Sequence, residues 1–315
     1  MGFFASLINS MPSAVAQGLI WGIMAIGVYL TYRILDVADL TVDGSLGTGG
    51  AVCVVMVLNG APVGLALLAA TAAGMLAGLV TGLFHTACGI PAILAGILTQ
   101  LALYSVNLRI MGFGTGGGKA NLPISVDKYS LLVSARYVRN VALNNPILIL
   151  TIFCAVLIAV LYWFFGTELG CSLRATGANQ NMARAQGINT NVTKVLGLMI
   201  SNGLVALAGG LLAQYQGFSD INMGRGAIVI GLAAVIIGEV IFSRIFRNFA
   251  LKLLSAVIGA IIYYIVMVFV LRLGLSTDDL KLLTALVVAL FLTIPYWKGK
   301  YFTKTSVKKG EKNHA

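Results

Sequence analysis

The sequence predicts an all-α polytopic membrane protein with about nine transmembrane helices (eight to ten), arranged as two inverted repeats that contain broken or short helices. Of its 315 residues, 59% are hydrophobic and only 10% are charged, and the mean hydropathy is +0.95. So few polar residues cannot cover the surface of a water-soluble globule. The apolar runs are long and continuous rather than alternating, which favours membrane-spanning helices over a β-barrel.

Apolar segments follow one another along the chain, separated by glycine, proline or charged residues. The first lacks a basic start and follows Pro12 and Ser13, so we interpret it as a permanent helix and not as a cleaved signal peptide. Two others are shorter than the roughly 20 residues of a full crossing. The predicted helices are Ala14–Tyr32, Ser45–Leu58, Val63–His85, Pro91–Ile110, Pro146–Phe165, Val192–Tyr215, Gly226–Phe242, Phe249–Leu273 and Leu280–Trp297.

Glycines recur at four-residue intervals in two of these helices. They are Gly74, Gly78 and Gly82 in the third helix, and Gly18 and Gly22 in the first. Small residues at this spacing form a face that another helix can approach closely. We therefore expect these faces to be helix-packing surfaces.

The two short helices point to an internal repeat. Asp39–Gly44 precedes the first of them and Asp220–Gly226 precedes the second, after an odd number of intervening helices, so the two copies would have opposite orientations. The chain is then a single transmembrane domain. Its parts are a first repeat over about 14–165, a cytoplasmic segment over 168–191, a second repeat over about 192–297, and a basic cytoplasmic tail over 298–315.

Most cations lie just outside the apolar runs, and together they give the chain a net charge of +11. Because lysine and arginine mark the cytoplasmic side, the basic tail and the Arg244–Lys252 connection predict a cytoplasmic C-terminus in the inner (plasma) membrane. The loop Met111–Asn144 then lies outside, although it is net positive. The tail suits anionic lipid, and nucleic acid is not an expected partner.

A polar segment within Glu168–Gln214 is the most informative feature of the chain. It separates two long apolar runs, and its arginines place it at the cytoplasmic face. Gly170, Gly177 and Gly187 allow sharp turns at its ends. We therefore expect a short amphipathic helix that lies at the inner face and docks on a soluble cytoplasmic partner.

The run LRATGANQNMARAQGIN, which begins at Leu173, resembles the cytoplasmic coupling segment of ABC-importer permeases of the ribose and branched-chain amino acid class. In that family a similar pattern precedes a helix containing AGxLA, and here Leu207–Ala213 reads LAGGLLA. Weaker similarity covers most of the chain. The resemblance implies an ATPase-coupling role for Arg174, Thr176, Gly177, Ala178, Asn179, Arg184 and Gly187.

The resemblance also implies the partners of such a permease. They are a second permease copy (a homodimer), a cytoplasmic ATPase dimer that binds ATP and Mg²⁺, and an extracytoplasmic substrate-binding protein. This chain has no GxxxxGK[ST] phosphate loop, so we expect a transport subunit without a cofactor or metal of its own. Asp39–Ser45 is similar to a subgroup associated with tryptophan or tyrosine import, which favours an aromatic amino acid. Branched-chain amino acids, nucleosides and sugars stay open as cargo.

Polar residues within or at the ends of the apolar runs are candidates for the substrate path. Gln100, Tyr104 and Asn107 share one face of the fourth helix, and Thr99 lies beside them. In lipid such side chains face a cavity or bond to a neighbouring helix. The predicted path residues are Asp39, Thr41, Asp43, Thr99, Gln100, Tyr104, Asn107, Asn202, Asp220 and Asn222.

The acidic residues allow alternative interpretations. Asp43 also fits the N-cap of the short helix that follows it. Glu239 lies deep in an apolar run and precedes Arg244 and Arg247, which suggests a gate or handle ion pair or a purely structural one. If Asp39, Asp220 and Glu239 coupled ion movement instead, the protein would be a secondary transporter; a non-transporting scaffold is the third class.

Overall fold

The structure is a computed structural model that describes residues 3–114, 117–126, 128–129, 131–138, 145–242, 245–246, 248–272, 282, 285–286, 288–290 and 293. Within these residues, six helices are long and apolar enough to cross a membrane, which confirms a polytopic helical protein. The ninth predicted helix, Leu280–Trp297, lies mostly outside the described residues, so the number of about nine stays a prediction.

The helices agree in position with the sequence prediction and differ at their ends. α1 starts earlier than expected and continues into a π-helical turn at Leu30–Ile34. The helical bounds are α1 Phe3–Tyr29, α2 Val42–Leu58, α3 Val63–Thr86, α4 Ala92–Met111, α5 Pro146–Phe164, α6 Glu168–Ala178, α7 Gln180–Ala185, α8 Thr190–Gln216, α9 Ala227–Phe242 and α10 Phe249–Arg272.

Two features differ from the sequence prediction, which expected helices alone and a single helix in the polar segment. A small antiparallel pair joins β1 (Asn121–Pro123) to β2 (Phe218–Asp220). The segment over 168–191 contains two helices, α6 and α7, because Asn179 between them has an extended backbone and its side chain caps α7. A short 3-10 turn also occupies Ala135–Tyr137.

α8 is the buried centre of the helix assembly. Gly78 of α3 lies against the backbone of Leu198, and Gly49 of α2 lies against Ala206, so the absence of a side chain lets backbones meet. The small-residue face of α3 therefore packs within the chain, at Gly74, Gly78 and Gly82. The corresponding face of α1 packs against α10, at Gly18 and Gly22.

The two short helices begin beside the middle of α8. Ser45, in the first turn of α2, donates a hydrogen bond to the side chain of Asn202 at the midpoint of α8 (2.6 Å). The N–H of Gly226, just before α9, donates to the carboxylate of Asp43 in α2 (2.9 Å). α2 and α9 therefore start at the same level, although they are far apart in sequence.

From this level, α2 and α9 run towards opposite ends of α8. α2 ends at Leu58, whose carbonyl oxygen accepts a hydrogen bond from Tyr129 in the loop that follows β1 (3.4 Å). α9 runs towards the end of α1, where Glu239 pairs with Arg33 (3.0 Å). Each helix covers only part of the length of α8, which explains why its apolar run is short. The inverted-repeat arrangement itself stays a prediction.

Candidate functional site

A half-open cavity of about 280 Å³ lies where α2 and α9 begin. The face of α4 that the sequence predicted to be polar forms one wall, and the turn before α9 forms another. Four of the ten predicted path residues meet here: Asp43, Gln100, Tyr104 and Asn107. The remaining lining residues are Gly44, Leu101, Ile221 and Arg225.

Asp43 holds the wall of this cavity in place. Its Oδ2 accepts a hydrogen bond from the N–H of Gly226 and its Oδ1 accepts one from Ile228, both at 2.9 Å. The carboxylate therefore caps α9, and not the start of its own helix as the N-cap alternative proposed. Helix N-termini leave N–H groups unsatisfied, and an acidic side chain also complements their partial positive charge.

Asn107 is the most unusual residue of the cavity. Its side chain is only 2% exposed, and its Oδ1 has no hydrogen-bond partner in the described part of the chain. A Cβ placed on Gly47 of α2 would come within 3.3 Å of the Asn107 Nδ2, so a larger residue in α2 would crowd the amide. An unsatisfied buried oxygen costs about 1–3 kcal/mol, which makes this amide a candidate ligand-binding group.

Arg225 lines the cavity and was missed by the sequence analysis. It is exposed, and the ion pair present among the described residues, Arg33 with Glu239, does not involve it. Its place in Asp220–Gly226, the polar stretch before the second short helix, was the available signal. The sequence prediction chose the acidic residue of that stretch, Asp220, whereas the residue that lines the cavity is the cation, Arg225.

Four other predicted path residues lie in a buried hydrogen-bonded cluster instead of the cavity. Asp39 accepts bonds from the N–H of Thr41 (2.9 Å) and from Asn202 Nδ2 (2.7 Å). Thr81 of α3 connects Thr41 and Thr99 through its hydroxyl group, at 2.7 and 2.9 Å. The cluster ties α3, α4 and α8 to the start of α2, which is the helix-packing alternative for polar residues in a membrane.

The last two predicted path residues lie at the strand pair. Asp220 accepts hydrogen bonds from the N–H of Asn222 (2.7 Å) and from the side chain of Asn121 (3.5 Å). The structure therefore places Asp220 and Asn222 outside the lining of the cavity. Their role in the path stays a prediction.

Glu239 forms its ion pair with a residue that the sequence analysis did not propose. Its partner is Arg33, at the end of α1. The proposed neighbours Arg244 and Arg247 lie outside the described residues. The pair lies close to the coupling segment, since Arg33 and Gly177 line one cavity.

The predicted coupling segment is anchored to the helix assembly by its inner side. Thr176 is fully buried and shares a hydrogen bond with Thr193 of α8 (2.9 Å). Gly177 lies against the backbone of Ile34, where a Cβ would overlap the carbonyl oxygen. Arg184 donates from Nε to the hydroxyl of Thr190 (2.8 Å).

The remaining coupling residues hold the ends of the segment or face outward. Arg174 lies over the ring of Phe249 at 5.4 Å from its centroid, a cation–π contact with α10. Ala178, Asn179 and Gly187 are exposed, and Gly187 adopts the left-handed backbone that favours glycine (φ +81°). Met182 of α7 is 65% exposed on the same surface. We call Ala178–Met182 the exposed coupling surface.

A polytopic helix assembly with a polar cavity inside is typical of a membrane transport protein. The family described as branched-chain amino acid transport system / permease component matches residues 10–294. The chain belongs to this family and is a permease subunit of an ABC transporter.

Several curated proteins are similar to this chain. The tyrosine transport system permease protein of Clostridioides difficile (strain R20291) is 41% identical over 284 residues, which cover 90% of each chain. RP368 of Rickettsia prowazekii (strain Madrid E) is 37% identical over 90% of this chain and 97% of that protein. The autoinducer 2 import system permease protein LsrC of Yersinia pestis (strain Pestoides F) is 32% identical over 76% of this chain and 64% of that protein.

Among solved structures, PsaBC from Streptococcus pneumoniae in complex with Fab aligns with a TM-score of 0.38 and 16% identity. The alignment covers 89% of this chain and 94% of that chain. A likeness of this degree does not define the fold.

Proposed function

We propose that this permease forms the substrate path of an ATP-driven importer whose cargo is an aromatic amino acid, with tyrosine as the best candidate. The observation that carries the cargo proposal is the 41% identity over 90% of the chain to a protein named as a tyrosine transport system permease. The chain's own cavity supports it, because polar groups and the ring of Tyr104 line one space. An amphipathic cavity of this kind suits a solute with charged ends and a ring.

A cytoplasmic ATPase dimer is the proposed partner of the exposed coupling surface. Its short side chains and the apolar Met182 leave a surface without charged residues over Ala178–Met182. Such a surface can enter a groove on another protein without burying an unpaired charge. The inner side of the segment is bound to α1, α8 and α10, so a movement of the partner is transmitted to the membrane helices.

A second copy of the permease is proposed to close the cavity. Tyr104 is 43% exposed and Leu101 is 65% exposed on the open side of α4. A polar cavity open to lipid would be costly, whereas two copies facing each other would enclose a central path. An extracytoplasmic binding protein would deliver the cargo to the side of β1 and β2.

The native cysteines test the proposed orientation. Cys88 and Cys171 are exposed and lie at the end proposed to be cytoplasmic. A membrane-impermeant maleimide should therefore leave both unlabelled in intact cells and label them after permeabilisation. A Phe113→Cys variant should react from outside, since Phe113 is 77% exposed at the opposite end. Labelling of Cys88 or Cys171 in intact cells would reverse the orientation and remove the coupling assignment.

Reconstituted transport tests the cargo. The permease, its ATPase and its binding protein in ATP-loaded proteoliposomes should import L-tyrosine and leave ribose outside. We expect Tyr104→Ala to lower uptake by about tenfold, because the loss of a ring contact and its buried area is worth about 1–2 kcal/mol. The yield of the complex and the affinity of the binding protein should not change. Import of ribose or a nucleoside in place of tyrosine would reject the proposed cargo.

A further inference from the structure

We propose that the cavity at the start of α2 and α9 recognises the charged main-chain groups of a free α-amino acid. Arg225 binds the α-carboxylate, and the side-chain oxygen of Asn107 accepts a hydrogen bond from the α-ammonium group. This inference rests on the proposed function, because it names how the substrate path holds its cargo.

Arg225 provides the carboxylate-binding group. Its guanidinium carries a fixed positive charge and a fork of donors that matches a carboxylate. In the described part of the chain it forms no ion pair with an acidic residue. A cation that lines a cavity without a partner of its own is available for an anionic group of a ligand.

Asn107 provides the hydrogen-bond acceptor for the α-ammonium group. Asn107 lines the same cavity, and its side-chain Oδ1 is buried and has no partner among the described residues. Buried polar groups are almost always hydrogen-bonded, so an exception requires an explanation. A donor group of the cargo that reaches this oxygen would satisfy it.

The charges of the cavity match a zwitterion better than a neutral solute. Arg225 lines it together with the carboxylate of Asp43, which is fixed by the N–H groups of Gly226 and Ile228. A sugar or nucleoside would carry no charge to neutralise the arginine.

The open side of the cavity leaves room for the cargo's side chain. Leu101 and Tyr104 border this side and are largely exposed, so they offer an apolar and aromatic surface without a closed pocket. The site therefore reads the main chain of the amino acid and tolerates different side chains. Discrimination between amino acids would then rest mainly with the binding protein.

The test measures uptake and ATP hydrolysis of the complete complex in ATP-loaded proteoliposomes, with radiolabelled L-tyrosine and an unaltered binding protein. Arg225→Gln and Asn107→Leu should each lower uptake by about tenfold, while ATP hydrolysis stimulated by loaded binding protein stays within about twofold. Arg225→Lys should restore part of the uptake. Asn107→Leu should keep or raise the melting temperature of the complex, because it removes an unsatisfied buried oxygen.

Arg109→Gln is the matched control, because Arg109 is exposed on the same helix as Asn107 and does not line the cavity. Uptake by Arg225→Gln and Asn107→Leu equal to this control would overturn the inference and leave the proposed cargo intact. A parallel fall of uptake, ATP hydrolysis and melting temperature would also overturn it, in favour of a structural role. A wild-type complex that imports only solutes other than α-amino acids would reject the proposed cargo, and the inference with it.

Discussion

Gly78→Leu is expected to abolish the accumulation of folded permease. A Cβ at this position would overlap the carbonyl oxygen of Leu198, and it would lie 2.7 Å from the Leu198 carbonyl carbon and 2.9 Å from the Met199 Cα. These are backbone atoms of α8, which cannot move aside as a flexible side chain can. Overpacking costs about 1–3 kcal/mol and occasionally more, and separating α3 from α8 would also strain the hydrogen-bonded cluster around Asn202.

Gly64→Leu is the control for this prediction. Gly64 lies in the same helix, and nothing lies within 4 Å of a Cβ built on it, so the same substitution there should be tolerated. The measurement is the yield of monodisperse protein by size-exclusion chromatography, together with the melting temperature in detergent. Equal yields from the two variants would show that the close crossing of α3 and α8 does not hold the assembly together.

Gly177→Leu is expected to leave the permease folded but to separate ATP hydrolysis from transport. A side chain at Gly177 would displace α6 from Ile34, since it would overlap the carbonyl oxygen and lie 2.7 Å from the carbonyl carbon. Loss of a coupling free energy of about 1–3 kcal/mol corresponds to a fall in coupled uptake of about 5- to 150-fold. The measurement is tyrosine uptake per ATP hydrolysed in proteoliposomes.

Cys171→Leu is the control, because Cys171 is an exposed residue of the same helix. It should retain coupled uptake. Wild-type coupling in Gly177→Leu would mean that the contact between α6 and the end of α1 does not transmit movement.

The structure also distinguishes two residues that the sequence predicted to share a coupling role. Gly177 is packed against the end of α1, whereas Ala178 is exposed.

Hydropathy and local spacing were sufficient to predict most helices. Continuous apolar runs predict the long spans because every backbone polar group in lipid must be bonded within its own segment. The glycine spacing predicts the close face of α3 for a similarly local reason, since residues four apart lie on one side of a helix. The break at Asn179 was missed because an extended residue between two helices changes neither hydropathy nor period.

For the candidate site too, local features could be predicted from the sequence, whereas contacts between distant segments could not. The polar stripe of α4 was predictable, since its three residues belong to one helix and their spacing defines a face. The separation of Thr99 from that stripe was not, because it depends on Thr41 and Thr81 lying within hydrogen-bond distance in other parts of the chain. The sequence identifies which polar residues lie in the apolar segments. The packing of the helices decides which of them bond to one another and which line a cavity.

The sequence by itself determined that this chain is a membrane permease, because apolar runs and a local motif carry that information. Only the tertiary structure decided that Asp43 caps α9 through Gly226, which lies 183 residues after it, and that Arg225 joins Asn107 at one cavity. Such contacts depend on how the helices cross, and crossing is set by small residues that let backbones meet. A pairing between distant residues leaves no periodic signal in either segment, so it emerges only when the helices are packed.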